Sequence, residues 1–182
     1  MKSKLLVAVA GLLMLATLSA VATPAPQQNS AKAQDRIIRE VRHELLMLPY
    51  FGVFDYIAFK VDGGTVVLLG AVVRPTLKSD AENSIKHIEG VDRVDNQIEV
   101  LPPSSMDDRI RLELFSSIYQ YPGLQKYELG VQKPIRILVK NGKVTLEGVV
   151  DSEADKNLAG VRANSVAGTF EVKNNLQVGE SK

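Results

Sequence analysis

Gly90-Val91-Asp92-Arg93-Val94-Asp95-Asn96-Gln97-Ile98-Glu99-Val100 returns later in the chain as Gly168-Thr169-Phe170-Glu171-Val172-Lys173-Asn174-Asn175-Leu176-Gln177-Val178. Upstream of each, in the same register, Gly64-Thr65-Val66-Val67-Leu68-Leu69-Gly70 faces Gly142-Lys143-Val144-Thr145-Leu146-Glu147-Gly148. Two blocks sharing one register make a repeat, so the 182 residues divide into two small modules rather than one domain. Each copy, at about 70 residues, is near the lower limit of what folds alone, and docking between copies adds to stability.

Working outward, the first module is read over residues 35–100. A helix opens near Asp35, with Ile37, Val41, Leu45 and Leu48 forming one apolar stripe, and Pro49 and Gly52 ending it. Ile57, Phe59 and Val61 then alternate with Tyr56, Ala58 and Lys60, the pattern of a half-buried strand. Asp62-Gly63-Gly64 turns the chain into a return strand from Thr65 to Val72. Pro75 suits the first turn of a second helix, whose inner face is Leu77, Ala81, Ile85 and Ile88 and whose C-terminal cap is Gly90. A last strand turns Ile98 and Val100 inward. Leu101 to Met106, with Pro102-Pro103, reads as a short stiff linker.

The second module, 107–179, repeats the order. Asp107 or Asp108 caps its first helix, and Ile110, Leu114 and Ile118 face inward. Pro122-Gly123 stops that helix, and the connection that follows, around 131–134, is longer than its sister. Ile135–Val139 and Val144–Val150 form a hairpin through Asn141-Gly142, a type I′ signal. Ser152-x-x-Asp155 resembles a capping box, Leu176 and Val178 complete the sheet, and 180–182 form a frayed end. The fold class is α+β: two tandem modules, each α-β-β-α-β, with a three-stranded sheet and two helices on one face.

Both copies resemble the BON domain, whose marks are a strand ending in Gly, a helix, and then Gly-Val-x-x-Val-x-Asn-x-hydrophobic-x-Val. The positions that carry the likeness are Gly70, Gly90, Val94 and Asn96 in the first copy and Gly148, Gly168, Val172 and Asn174 in the second. The second departs at Thr169, where Val is usual. The likeness runs over residues 35 to 178 and extends to osmotically inducible periplasmic proteins that carry two such modules. It implies association with phospholipid membranes and a part in envelope integrity under osmotic stress.

Residues 1–22 read as a secretory signal: Lys2 and Lys4, an apolar stretch from Leu5 to Leu18, then Ala20-Val21-Ala22 as the cleavage site. An uncleaved anchor is the rival, but the small-residue site and the Pro-rich stretch after it favour cleavage and export to the periplasm. Residues 23–34 read as a flexible lead-in. With no Cys there is no disulfide frame and no lipoprotein acylation site. Of 22 basic residues Lys2 and Lys4 lie in the leader, leaving 20 against 21 acidic ones, a balance with no global pull toward nucleic acid.

No catalytic constellation assembles. His43 and His87 sit on polar helix faces, and no residue set stands at zinc-ligand spacing. The glycine loops join strands and do not open helices, so they are turns, not phosphate cradles. Neither a cofactor nor a metal is expected.

What separates the copies is where roles separate. Leu112, Phe115 and Tyr119 form a second apolar flank on the first helix of module 2, where module 1 carries Arg39, Arg42 and Leu46. In the other direction, Val67, Leu69 and Ala71 on the outward face of the first hairpin stand opposite Thr145, Glu147 and Val149. Three readings stay open. The flank docks on the Val67, Leu69 and Ala71 face; or it enters an anionic phospholipid surface with Arg109 and Arg111 at the headgroups; or it meets an envelope protein. Arg36, Arg39 and Arg42 read as a solvated face, with Arg36–Glu40 and Arg39–Asp35 pairs. The function expected is a non-catalytic periplasmic membrane-associating protein, the alternative a soluble chaperone-like or scaffold protein of the envelope.

Overall fold

The structure, a computed structural model, describes residues 26–130 and 132–179, with side chains from residue 31 onward. The leader and the last three residues, on which two expectations fall, lie outside them. Helix α1 runs over Pro26–Leu46, and the antiparallel hairpin β1 (Tyr56–Asp62) and β2 (Thr65–Val72) follows. Helix α2 (Pro75–Ile85) leads to a last strand in two pieces, β3 (Arg93–Asn96) and β4 (Glu99–Val100), both parallel to β2. The second half repeats this with α3 (Ser105–Tyr119), β5 (Ile135–Lys140), β6 (Lys143–Val150), α4 (Glu153–Asn164), β7 (Glu171–Asn174) and β8 (Gln177–Val178). A 3-10 turn, Gln125–Glu128, stands in the longer connection. The hairpin strands β1 and β5 are sheet edges.

Each module has its own core. Ile37, Val41, Leu45, Val66, Leu68, Leu77, Ala81, Ile85 and Ile98 close the first; Ile110, Leu114, Ile118, Ile135, Ile137, Val139, Leu146 and Leu176 are among those closing the second. Val94 and Val172 pack against these cores at equivalent places. The signature asparagines explain why the last strand is broken. Asn96 Nδ2 donates to Lys78 O at 2.8 Å while its Oδ1 accepts from Ile98 N–H at 3.2 Å. Asn174 makes the same pair, with Lys156 O at 2.7 Å and Leu176 N–H at 3.2 Å. One amide thus ties the second helix of each module to the kink that turns Ile98 or Leu176 into the core. Gly70 and Gly148 both sit at φ 118°, where a Cβ would fall about 2 Å from the carbonyl oxygen of Tyr56 or Pro134.

Several boundaries differ from the sequence expectation. The lead-in is helical from Pro26; Pro in the first turn and the helix formers after it suffice, since Ala31 to Asp35 are all exposed. Ser104, not Asp107 or Asp108, caps α3 by accepting from Asp107 N–H at 3.2 Å, so the linker's last residues are helical. The Asp107 carboxylate instead accepts from Asn141 N–H and Gly142 N–H, both at 2.8 Å, and holds the tight turn whose residues stand at φ 52° and 73°. Helix α2 ends at Ile85, with Lys86 as its cap; Gly90 lies beyond, in the turn facing Ile37. Val178 is 44% exposed. Its sister Val100 is half-buried beside the buried Leu101, whereas the residue after Val178 is Gly179, which has no side chain to shelter it.

The longer connection in module 2 secures α4. Ser152 Oγ accepts from Asp155 N–H at 3.1 Å, and the Asp155 carboxylate receives Tyr127 Oη–H at 2.8 Å and Lys126 Nζ at 2.9 Å. Burial raises the Asp155 pKa, but these bonds and one from Ser152 outweigh it and hold the carboxyl below its ordinary value. At the start of α2, by contrast, Arg74 gives no side-chain cap.

Candidate functional site

The flank of α3 that sequence comparison singled out does not form a surface stripe. Leu112 alone is broadly open, at 63%. Tyr119 is fully buried: its hydroxyl donates to Ile135 O at 2.6 Å and accepts from Ile135 N–H at 3.1 Å. Burial raises the pKa of that phenol well above its ordinary value, so it stays protonated. Phe115 is half-buried between Tyr119, with ring centroids 5.0 Å apart, and Phe54 of module 1, at 6.5 Å and 72°. Arg111, expected at headgroups, is also buried; Nη1 meets Asp108 at 2.5 Å and Nη2 donates to Val139 O at 2.6 Å. Arg109 remains exposed, pairs with Glu113 at 3.7 Å and lies beside Gly168. Tyr119, Arg111 and most of Phe115 are therefore corrected from contact residues to structural ones.

The physical reason is strand β5. As a sheet edge it turns backbone groups outward, and buried backbone groups need partners. Tyr119 satisfies Ile135, Arg111 satisfies Val139, and Val53 O of module 1 accepts from Ile137 N–H at 2.9 Å. Around that last bond Val53 and Phe54 pack on the module 2 core. Arg136 fastens the same segment, donating to Gly52 O at 2.7 Å and stacking on the Phe51 ring at 4.6 Å. Asp55 is buried beneath, accepting from Gly52 N–H at 2.9 Å and Val73 N–H at 2.8 Å. A Lys140–Glu99 ion pair joins the modules farther along.

The docking expected of α3 on Val67, Leu69 and Ala71 is not what joins the modules. Helix α3 packs on β5, α4 and the 3-10 turn, and the junction runs through residues 51–55 and β5. Val67 and Leu69 are half-buried, and Ala71, whose strand partner is Tyr56, is buried. Between the modules it is the extended segment, through Val53, that reaches the β5 backbone; the α3 side chains that do so, Tyr119 and Arg111, act within module 2.

Strand β1 is the equivalent edge in module 1, and its surroundings differ at each sealing position. Leu46 stands where Tyr119 does, Ile38 where Arg111 does, and Arg42 where Phe115 does. Among the described residues, the outward groups of β1 receive one bond, from Gln34 Nε2 to Val61 O at 3.1 Å. Between α1 and β1 lies a groove of 440 Å³ lined by Ile38, Arg42, Tyr56, Ile57, Ala58, Phe59 and Val61. It adjoins a 670 Å³ cleft between the modules that shares Arg42, Tyr56 and Ile57 and adds Leu46, Phe51 and Arg136. Arg36 pairs with Glu40 at 3.4 Å as expected, and with Glu89 at 3.1 Å. The Arg39–Asp35 pair does not form, and among the described residues neither Arg39 nor Arg42 has an acidic partner.

A second hollow, of 390 Å³, lies on the other side of the junction. Its lining includes Tyr50, Phe54, Arg74 and Leu112, with Tyr50 74% exposed and the Arg74 guanidinium 4.8 Å over its ring. Tyr50 is held at φ 65°, outside the ordinary region for a side-chain-bearing residue. Sequence reading missed it, because a lone Tyr between Pro49 and Phe51 carries no periodic signal. His43 and His87 are exposed, and no group of three metal-ligating side chains converges among the described residues.

A family model described as BON domain matches residues 33–102 and again 107–180. Two solved structures from Chlamydia trachomatis are similar, both of CdsD, a structural protein of the type III secretion system. The first, of its C-terminal domain, is 13% identical with a TM-score of 0.28, covering 79% of this chain and 98% of that one. The second is 14% identical with a TM-score of 0.29, covering 80% and 94%. Scores that low carry no argument about this chain. No curated protein matches.

Proposed function

The chain belongs to the BON domain family, and from that premise we propose a non-catalytic periplasmic protein that associates with anionic phospholipid surfaces and supports envelope integrity under stress. BON domains are non-catalytic modules associated with phospholipid binding. The observation that carries the reading is the pairing of Tyr50 and Leu112 at the rim of one hollow, both open to solvent, with Arg74 over the Tyr50 ring. A tyrosine whose apolar body ends in a polar tip suits the headgroup boundary, and a leucine beside it enters the acyl region. Arg74, with Arg109 one turn from Leu112, supplies positive charge for anionic headgroups. The secretory leader read in residues 1–22 supports export to where such surfaces are.

Co-sedimentation with phosphatidylglycerol-containing and neutral vesicles tests this. Exchanging both Tyr50 and Leu112 for Ser weakens binding by about tenfold or more, because burying one such side chain is worth about 1.5–3 kcal/mol. Arg74→Glu weakens binding to the anionic vesicles only. Unchanged sedimentation of the double variant removes this surface from consideration. A second reading, a soluble scaffold or chaperone-like protein for envelope proteins, is favoured by the open edge of β1; holding of an aggregating client without vesicle binding selects it.

A further inference from the structure

We propose that the groove between α1 and β1 binds an extended peptide segment of another protein, one carrying an apolar residue followed directly by an acidic one. The chain itself displays the binding mode. In module 2 the corresponding groove, between α3 and β5, is occupied by Val53-Phe54: the Val53 carbonyl accepts from the edge amide of Ile137, and the Phe54 ring meets Phe115. In module 1 the position of Ile137 is Phe59 and that of Phe115 is Arg42. The shared register, Phe59 opposite Leu68 as Ile137 is opposite Leu146, turns the Phe59 amide toward the same open side.

The groove floor stays apolar, with Ile38, Ile57 and Val61 along it. At the position that meets the occupant's second residue a guanidinium stands where the sister groove has a ring, so the occupant's matching side chain changes from aromatic to carboxylate. Arg42 is exposed, and no carboxylate of the described residues lies within ion-pair distance of it. This surface is separate from the Tyr50–Leu112 rim, so it stands or falls independently of the lipid reading.

The test uses the chain as exported and a fluorescent peptide of sequence YFGVEDY, the 50–56 segment with Glu in place of Phe54. A second peptide, YFGVKDY, is the control. The Glu peptide binds and the Lys peptide binds at least tenfold more weakly; Arg42→Glu reverses that order. Reversal is the decisive reading, since a misfolded variant binds neither peptide, and circular dichroism of Arg42→Glu matching the parent confirms that it folds. Equal binding of both peptides, or binding of neither to the folded parent, overturns the proposal. So does loss of a dimer in sedimentation on Arg42→Glu, which assigns the groove to a second copy of the chain. Loss of vesicle binding with peptide binding untouched assigns Arg42 to lipid and overturns it as well.

Discussion

Strands β1 and β5 share a register and an antiparallel partner, yet their outward backbone groups meet different fates. On β5 a phenol, a guanidinium and a carbonyl from the other module take up Ile135, Val139 and Ile137. On β1, among the described residues, Gln34 alone reaches in. Three substitutions between sister helices, Leu46 to Tyr119, Ile38 to Arg111 and Arg42 to Phe115, account for most of the contrast. The lesson is that a duplicated module diverges most cheaply at its sheet edge. Helix positions there decide whether the edge is closed or available, and the core need not change.

The largest effect is expected at Tyr119. Tyr119→Phe leaves two buried backbone groups of Ile135 without a partner and costs about 3 kcal/mol. Leu46→Ala at the sister position, 45% exposed, shifts the urea midpoint hardly at all. Similar losses at both sites would break the comparison.

Next comes Asp155, whose pKa is lowered in the folded state. Its contribution is therefore complete above the unfolded carboxylate value of about 4 and is lost as pH falls through the folded one. Asp155→Asn costs about 2 kcal/mol at neutral pH, where charged hydrogen bonds are lost. Urea midpoints between about pH 5 and 3 then show a flatter profile in the variant than in the parent. An unchanged slope would place the acid sensitivity elsewhere. Phe54→Ala follows, at about 1.5 kcal/mol for a half-buried ring, and its mark is that module 2 loses stability although the residue belongs to module 1. Hydrogen exchange at Ile137 reads this directly.

The smallest effect has the opposite sign. Thr169 Oγ1 is buried with no partner among the described residues, at the position where the first copy has Val91. Thr169→Val raises stability by about 1 kcal/mol, measured by thermal melting. A loss would mean that the hydroxyl has a role the sister site lacks.

The repeat, the α-β-β-α-β order and the glycine and asparagine signatures were legible in the sequence because they depend on local spacing and on a second copy to compare. The candidate site was not. Helical spacing sets Tyr119 on a flank away from Ile110, Leu114 and Ile118, with Arg111 expected at headgroups; what it omits is the edge strand alongside, which buries both. A tyrosine and an arginine whose sisters are Leu46 and Ile38 were the available signal: polar tips on long stems appear where a backbone needs satisfying. Asp107 teaches the same. Its place suited a helix cap, but Ser104 took that role, and the carboxylate went to the turn amides across the module.

The segment from Phe51 to Asp55 is made before the strand it covers. As the chain emerges from its N-terminus, module 1 can be complete while its protruding Val53-Phe54 waits for Ile137 to appear. The later half thus inherits a shield against sticking to neighbours, and a tandem array built on this rule would always leave its leading member, and that one only, with a vacant margin.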